Sequence, residues 1–162
     1  MRADLPELLA PAGGFDALEA AIEAGADAVY FGGESFGARA FAKNFSRDEI
    51  AAATKLCRAY GVKSYVTLNT LVFDREMQDM LAYAAFLEEA GADALIIADM
   101  GAAALIREKI PTMPLHATAM GRALLAFAPV PLVDAVIERG LHMVARSGRR
   151  TLLVVDEAQA LP

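Results

Sequence analysis

Only one of the 162 residues is a cysteine, and that scarcity already excludes several kinds of protein. Cys57 cannot form an internal disulfide, which fits a reducing cytoplasm and argues against a small disulfide-stapled domain. It falls on the apolar face of an expected helix, beside Leu56 and Tyr60, so a buried inert thiol is favoured over a nucleophile. Uninterrupted apolar runs of ~18 residues or more are also missing, which argues against a transmembrane helix. The opening MRADLPELLAPAGG reaches charged and turn residues too early for a secretion signal. Basic clusters are absent and the formal net charge is −6, so strong nonspecific nucleic-acid binding is not expected. No Gly-x-Ser-x-Gly elbow and no His-Glu-x-x-His helix is read from the sequence, so a familiar serine or zinc protease is not expected. No Gly-x-x-x-x-Gly-Lys-Ser/Thr loop is present to cradle a nucleotide phosphate.

What is abundant is apolar sequence, at 56% of the chain. That excludes disorder and points to α/β packing, in which strands are buried on both faces. Short apolar runs (ELLA, AVYF, SYVTL, ALIIA) read as strands. Between them, apolar residues recur at three- and four-residue spacing, as amphipathic helices require. The first helix is expected from Phe15 to Ala24, burying Phe15, Leu18, Ala21 and Ile22. Ser46 and Glu49 form a capping box for the second, with Phe45 and Ile50 as its hydrophobic staple. The third starts near Asp74 and buries Met77, Met80, Leu81, Ala84 and Leu87. The fourth covers Ala102 to Lys109 and is stopped by Pro111. Gly25, Gly61 and Gly91 each stand where a helix gives way to a strand. The phrase Gly-Ala-Asp-Ala recurs at 25–28 and 91–94, a repeat of roughly 30 residues per βα unit. A barrel and an open doubly wound sheet share this rhythm.

Six phrases narrow the choice. Glu-Leu-Leu-Ala-Pro-Ala-Gly (7–13), Gly-Ala-Asp-Ala-Val-Tyr-Phe-Gly-Gly (25–33), Ala-Arg-Ala-Phe-Ala-Lys-Asn-Phe (38–45), Val-Thr-Leu-Asn-Thr (66–70), Ala-Asp-Ala-Leu-Ile (92–96) and Pro-Leu-His-Ala-Thr (114–118) stand in order. Together they resemble the N-terminal barrel half of peptidase family U32, the collagenase-like group. The resemblance implies a parallel, incomplete (β/α) TIM-type barrel, a cytoplasmic location, and a peptidase or a hydroxylase-related activity in truncated form. Its iron–sulfur members hold their cluster through four downstream cysteines, positions this chain does not have, and no cofactor or metal is expected. The family's Ser-x-Gln pair is met by Thr118 and Met120, so the match fails there.

Residues 1–118 are thus read as the partial barrel and 119–162 as a mosaic tail. Ala-Thr-Ala-Met-Gly-Arg-Ala-Leu-Leu-Ala-Phe (117–127) is similar to the effector domain of isocitrate-lyase-type transcription regulators. Arg-Arg-Thr-Leu-Leu-Val-Val-Asp-Glu-Ala-Gln (149–159) is similar to the Walker B strand of a secretion-associated ATPase, although Asp156 and Glu157 have no phosphate loop to serve. Leu141–Arg146 and Thr151–Val155 could each add a strand.

In a barrel, reacting groups sit where strands end and βα loops begin. That rule selects His116, Asp99 and Asn69 as candidate catalytic residues. His116 titrates near neutrality and suits a general base, or else packs as an ordinary strand histidine. Asp99 and Asn69 are polar where a packing residue would be apolar. Arg39, Gly13, Gly32, Gly33 and Thr118 are the candidate substrate-binding residues. Arg39 could clamp an anion or pair with Asp99 or Glu34; the glycines permit close approach of a ligand or simply turn the chain. The alternative to an enzyme is a non-catalytic partial barrel that self-associates through its open edges.

Overall fold

The computed structural model describes residues 7–38 and 44–117 and the short strand at 153–154. Strands and helices alternate: β1 (Leu8–Pro11), α1 (Phe15–Glu23), β2 (Ala28–Gly32), α2 (Arg47–Ala59), β3 (Lys63–Leu68), a 3-10 turn (Asp74–Glu76) running into α3 (Met77–Ala90), β4 (Ala94–Ile97), α4 (Met100–Lys109) and β5 (Leu115–Ala117). A two-residue strand, β6 (Leu153–Val154), pairs with β1. Every pairing is parallel and the order is β5-β4-β3-β2-β1-β6. The four strands expected from the sequence therefore form in chain order, in a sheet that is compatible with a partial barrel and is not closed.

The local causes are those the pattern specifies. Ser46 Oγ accepts from the Glu49 amide at 3.3 Å, and Glu49 Oε2 accepts from the Ser46 amide at 2.8 Å, so the capping box starts α2. The staple residues Phe45 and Ile50 are both buried. Gly25, Gly61 and Gly91 take positive φ (83°, 70° and 89°), a conformation that costs glycine little and lets each helix turn sharply into the next strand. α4 begins two residues earlier than the apolar spacing implied, because Asp99 caps it.

The sheet has two different faces. Toward the helices point Val29 and Phe31, Val66 and Leu68, and Leu95 and Ile97, packed with Leu18, Ile50, Cys57, Met80, Leu87 and Ile106. At roughly 1.5–3 kcal/mol for each fully buried large apolar side chain, this layer dominates the stability of the fold. Tyr83, not foreseen as a core residue, is buried there too. Toward the interior point Leu9, Ala28, Tyr65 and Ala94, with Tyr30 and Ile96 packed against them. At the amino-terminal end of this interior, the Tyr65 hydroxyl donates to Glu7 Oε1 at 2.8 Å, and Lys63 Nζ lies 3.0 Å from the same oxygen. Burial, and then the hydrogen bond to Glu7, push the Tyr65 phenol far above its ordinary range.

A strand expected within Thr151–Val155 is thus present as Leu153–Val154. It lies against Leu8 and Leu9, so β1 is not a free edge at those residues. Leu141–Arg146 lies outside the described residues.

Candidate functional site

At the carboxyl ends of β2 and β3 the interior opens into a pocket of about 210 Å3, lined by Tyr30, Gly32, Gly37, Ala38, Asn44, Thr67 and Asn69. Two strands supply its floor and one loop its wall. Register places Gly32 beside Thr67, Thr67 beside Ile96 and Ile96 beside His116, so these four form one row across the sheet. A Cβ added at Gly32 would stand 3.2 Å from Thr67 Oγ1 and 3.4 Å from Asn44 Oδ1, inside the pocket. Glycine here keeps space open between a hydroxyl and a carboxamide.

The wall is the loop that follows β2. It returns to the sheet at Phe45, whose amide donates to the Gly32 carbonyl at 3.0 Å, and a parallel bridge joins Gly33 to Phe45. The end of β3 fastens this loop twice: Asn69 Oδ1 accepts from the Ala38 amide at 2.9 Å, and Thr70 Oγ1 donates to the Phe36 carbonyl at 3.1 Å. Between these ties Phe36 has φ 57°. A bulky residue pays for that left-handed conformation, and the surroundings must hold it. Its ring packs 6.1 Å from that of Tyr83.

The foreseen site residues separate into groups. Asn69 and Gly32 line the pocket. His116 shares the row of Gly32 and Thr67, two strands from Thr67 and three from Gly32, roughly 10 and 14 Å off at the usual strand spacing, with its ring 5.0 Å from Tyr65. Asp99 lies at the carboxyl end of β4 with its oxygens engaged: Oδ1 accepts from the Ala102 amide at 2.9 Å and Oδ2 from the Val72 amide at 3.2 Å. Gly33 is buried, and its missing side chain faces Tyr83 and Ile50 on the helix side, away from the pocket. Gly13 lines a second hollow of about 310 Å3 at the start of α1, with Asp16, Asn44 and Glu49 among its walls. Arg39 and Thr118 lie outside the described residues, as do Asp156 and Glu157.

Two features escaped the sequence reading. Asn44 lines both hollows; the length of the Glu34–Asn44 connection marks it as the expected lid or binding loop, but not which of its residues folds back to the sheet. Gly33-Glu34-Ser35-Phe36-Gly37 has the Gly-x-Ser-x-Gly spacing of a nucleophile elbow, a string that was legible and passed over. The geometry departs from that motif. The left-handed residue is Phe36, not Ser35, and the next helix begins only at Arg47. Cys57, 0% exposed beneath α2, has its thiol pushed up to about 11, first by burial and then by Asp93. One buried thiol is no cradle for an iron–sulfur cluster, which needs several accessible thiolates.

A parallel sheet with helices on one face and a pocket at its carboxyl edge is compatible with a partial (β/α) barrel. Comparison with known proteins narrows this. The family model of peptidase family U32 matches residues 13–124, and the chain belongs to that family. It is 38% identical over 111 residues to a tRNA hydroxylation protein of Bacillus subtilis (strain 168), covering 68% of this chain and 26% of that protein. It is 44% identical over 112 residues to a 23S rRNA 5-hydroxycytidine synthase of Escherichia coli (strain K12), covering 69% and 16%. It is 40% identical over 97 residues to a collagenase of Porphyromonas gingivalis (strain ATCC BAA-308 / W83), covering 59% and 23%. The chain therefore spans about a quarter or less of the length of these curated relatives. No helix among the described residues is long and apolar enough to cross a membrane.

Proposed function

We propose that this chain supplies a base-binding pocket of an RNA-hydroxylating barrel, and that the pocket takes a pyrimidine presented by an unpaired RNA segment. The observation that carries this reading is the lining among the described residues: two carboxamides, two hydroxyls and glycine. Such groups suit the edge of a neutral planar ring, whose carbonyl and imino atoms accept and donate hydrogen bonds. Asn69 already spends Oδ1 on the Ala38 amide, so its Nδ2 group is the donor available to a pyrimidine carbonyl. His116, in the same row, is the group suited to carry a proton near neutral pH. Asp99 supports the site through the loop that it fastens. The names of two relatives, one acting on tRNA and one forming hydroxycytidine in rRNA, point the same way.

The test is cytidine and uridine binding followed by isothermal titration and ligand-observed NMR. Millimolar-range binding that Gly32→Val abolishes and Asn69→Ala weakens about fivefold is expected, with the folded state retained. Equal binding by the wild-type chain and Gly32→Val would overturn the reading.

Peptide hydrolysis is the second reading. The collagenase relative favours it, and Ser35 is the hydroxyl to test, although its backbone departs from the elbow geometry. Gelatin cleavage by the chain that is lost in Ser35→Ala would establish it in place of the first.

A further inference from the structure

We infer that Leu71, Phe73 and Arg75 form a stacking platform for an unpaired RNA base that flanks the base held in the pocket. This rests on the pyrimidine reading above and adds to it the means by which a strand, rather than a free nucleoside, is held.

The platform begins where the pocket ends. Asn69 lines the pocket, and the chain then leaves the sheet toward α3 through residues 70–73. Side-chain hydrogen bonds fix this passage at three successive points. Thr70 Oγ1 donates to the Phe36 carbonyl at 3.1 Å, the Val72 amide donates to Asp99 Oδ2 at 3.2 Å, and the Phe73 amide donates to Glu76 Oε2 at 3.0 Å. In an extended passage, alternate side chains point to opposite sides. Thr70 and Val72 are half-buried, with Val72 packed against the core. Leu71 and Phe73 are turned outward, 64% and 66% exposed. Among the described residues the other exposed large apolar side chains are Leu8 and Tyr60, and both lie near the amino-terminal ends of strands, away from the pocket.

A fixed loop that holds two large apolar side chains in water has no stabilising reason to do so. The Arg75 guanidinium lies over one face of the Phe73 ring, 5.1 Å from its centroid, between Asp74 and Glu76 in the same turn. A ring backed on one face by a cation can stack a base on the other and keep a positive charge near the adjoining phosphate. A membrane surface is a poor match, because the chain carries −6 and the patch offers one cation. Placement next to a base-sized pocket lined by carboxamides and hydroxyls favours a nucleobase over an apolar protein side chain.

The acidic balance gives the interaction a signature. Affinity comes from stacking, so binding depends weakly on salt, with a log–log slope near −0.7 for about one neutralised phosphate.

The experiment uses the whole chain, a fluorescein-labelled single-stranded pyrimidine heptamer read by anisotropy, and cytidine read by titration. Phe73→Ala is expected to weaken the heptamer about tenfold, the magnitude typical of one lost base stack, and to leave cytidine unchanged. Phe73→Trp should restore heptamer binding. Gly32→Val should remove cytidine binding, which separates the pocket's failure from the platform's. Heptamer binding that is absent from the wild-type chain, or the same in Phe73→Ala, overturns the platform. So does a Phe73→Ala chain that loses self-association in light scattering while heptamer affinity stays constant, because the patch would then belong to a second copy.

Discussion

Asp27 and Asp93 hold equivalent places two βα units apart, and each grips the neighbouring strand in the same way. Asp27 Oδ2 accepts from the Leu8 amide at 2.8 Å while the Asp27 amide donates to the Leu8 carbonyl at 2.9 Å. Asp93 does the same with Ser64, at 2.8 and 2.9 Å, and also accepts from the Ser64 hydroxyl at 3.0 Å. The recurring Gly-Ala-Asp-Ala phrase is thus a structural device. Its glycine ends a helix, its aspartate docks that end on the adjacent strand, and its second alanine opens the next strand.

Replacement of either aspartate by alanine should therefore lower stability. Hydrogen bonds to a carboxylate contribute about 1.5–3 kcal/mol when sheltered, and these side chains belong to exposed residues. About 1 kcal/mol is expected for Asp27→Ala. Somewhat more is expected for Asp93→Ala, because buried Ser64 loses a partner for its hydroxyl as well as its amide. The two share no partners, so the double variant should show the sum in urea denaturation.

A second expectation concerns Tyr83. Its hydroxyl is buried and has no hydrogen-bond partner among the described residues, and burial pushes the phenol up to about 12. An unsatisfied buried hydroxyl costs stability, so Tyr83→Phe should leave the melting temperature unchanged or raise it. Gly33→Ala should be strongly destabilising, by roughly 1–3 kcal/mol or more, because a methyl group there collides with that hydroxyl and approaches Ile50 Cδ1 at 2.9 Å. Partial recovery in the Gly33→Ala, Tyr83→Phe pair, measured by thermal melting, would assign the collision.

Cys57 provides a pH test. Its thiol is raised from 9.0 to about 11, so the folded state favours the protonated form. The stability linked to this thiol is fully present below pH 9 and is lost as pH rises toward 11. At pH 8 the thiolate fraction is about a hundredfold below that of an ordinary thiol, and disulfide-reagent labelling should be at least that much slower until urea unfolds the chain. Fast labelling of the folded chain would show that α2 opens locally.

The fold was largely legible because its signals are local. Gly25, Gly61 and Gly91 stop helices through their own backbone freedom, Ser46 and Glu49 cap one another, and strand runs buried on both faces are continuously apolar. The site was legible only at positions set by strand ends, Gly32 and Asn69. Asp99 followed the strand-end rule, yet its carboxylate is engaged as a cap and a loop tie, a pattern that a polar residue just before a helix also announces. Asn44 entered the pocket through a bridge between Gly33 and Phe45, a contact formed by tertiary folding that no spacing encodes. The Ser35 string could have been read and, once read, needed the φ of Phe36 to be judged.

The final expectation concerns association. Among the described residues the sheet runs from β5 on one side to β6 on the other, and the two are not paired with each other. A strand at a sheet edge presents backbone groups that another chain can pair with. β6 pairs only with Leu8 and Leu9, so the Ala10 and Pro11 segment of β1 gains no partner from it. On the opposite side, Leu115–Ala117 pairs with β4 and with no other strand among the described residues. We propose that copies of this chain associate through the outer edge of β5. Light scattering across a hundredfold range of concentration should show mass rising with concentration. Ala117→Pro removes an amide that faces away from β4 and should lower the association. His116→Ala, which keeps the amide, should leave association intact and separates an edge contact from a side-chain contact. A strictly monomeric chain that melts cooperatively over the whole range would defeat the proposal.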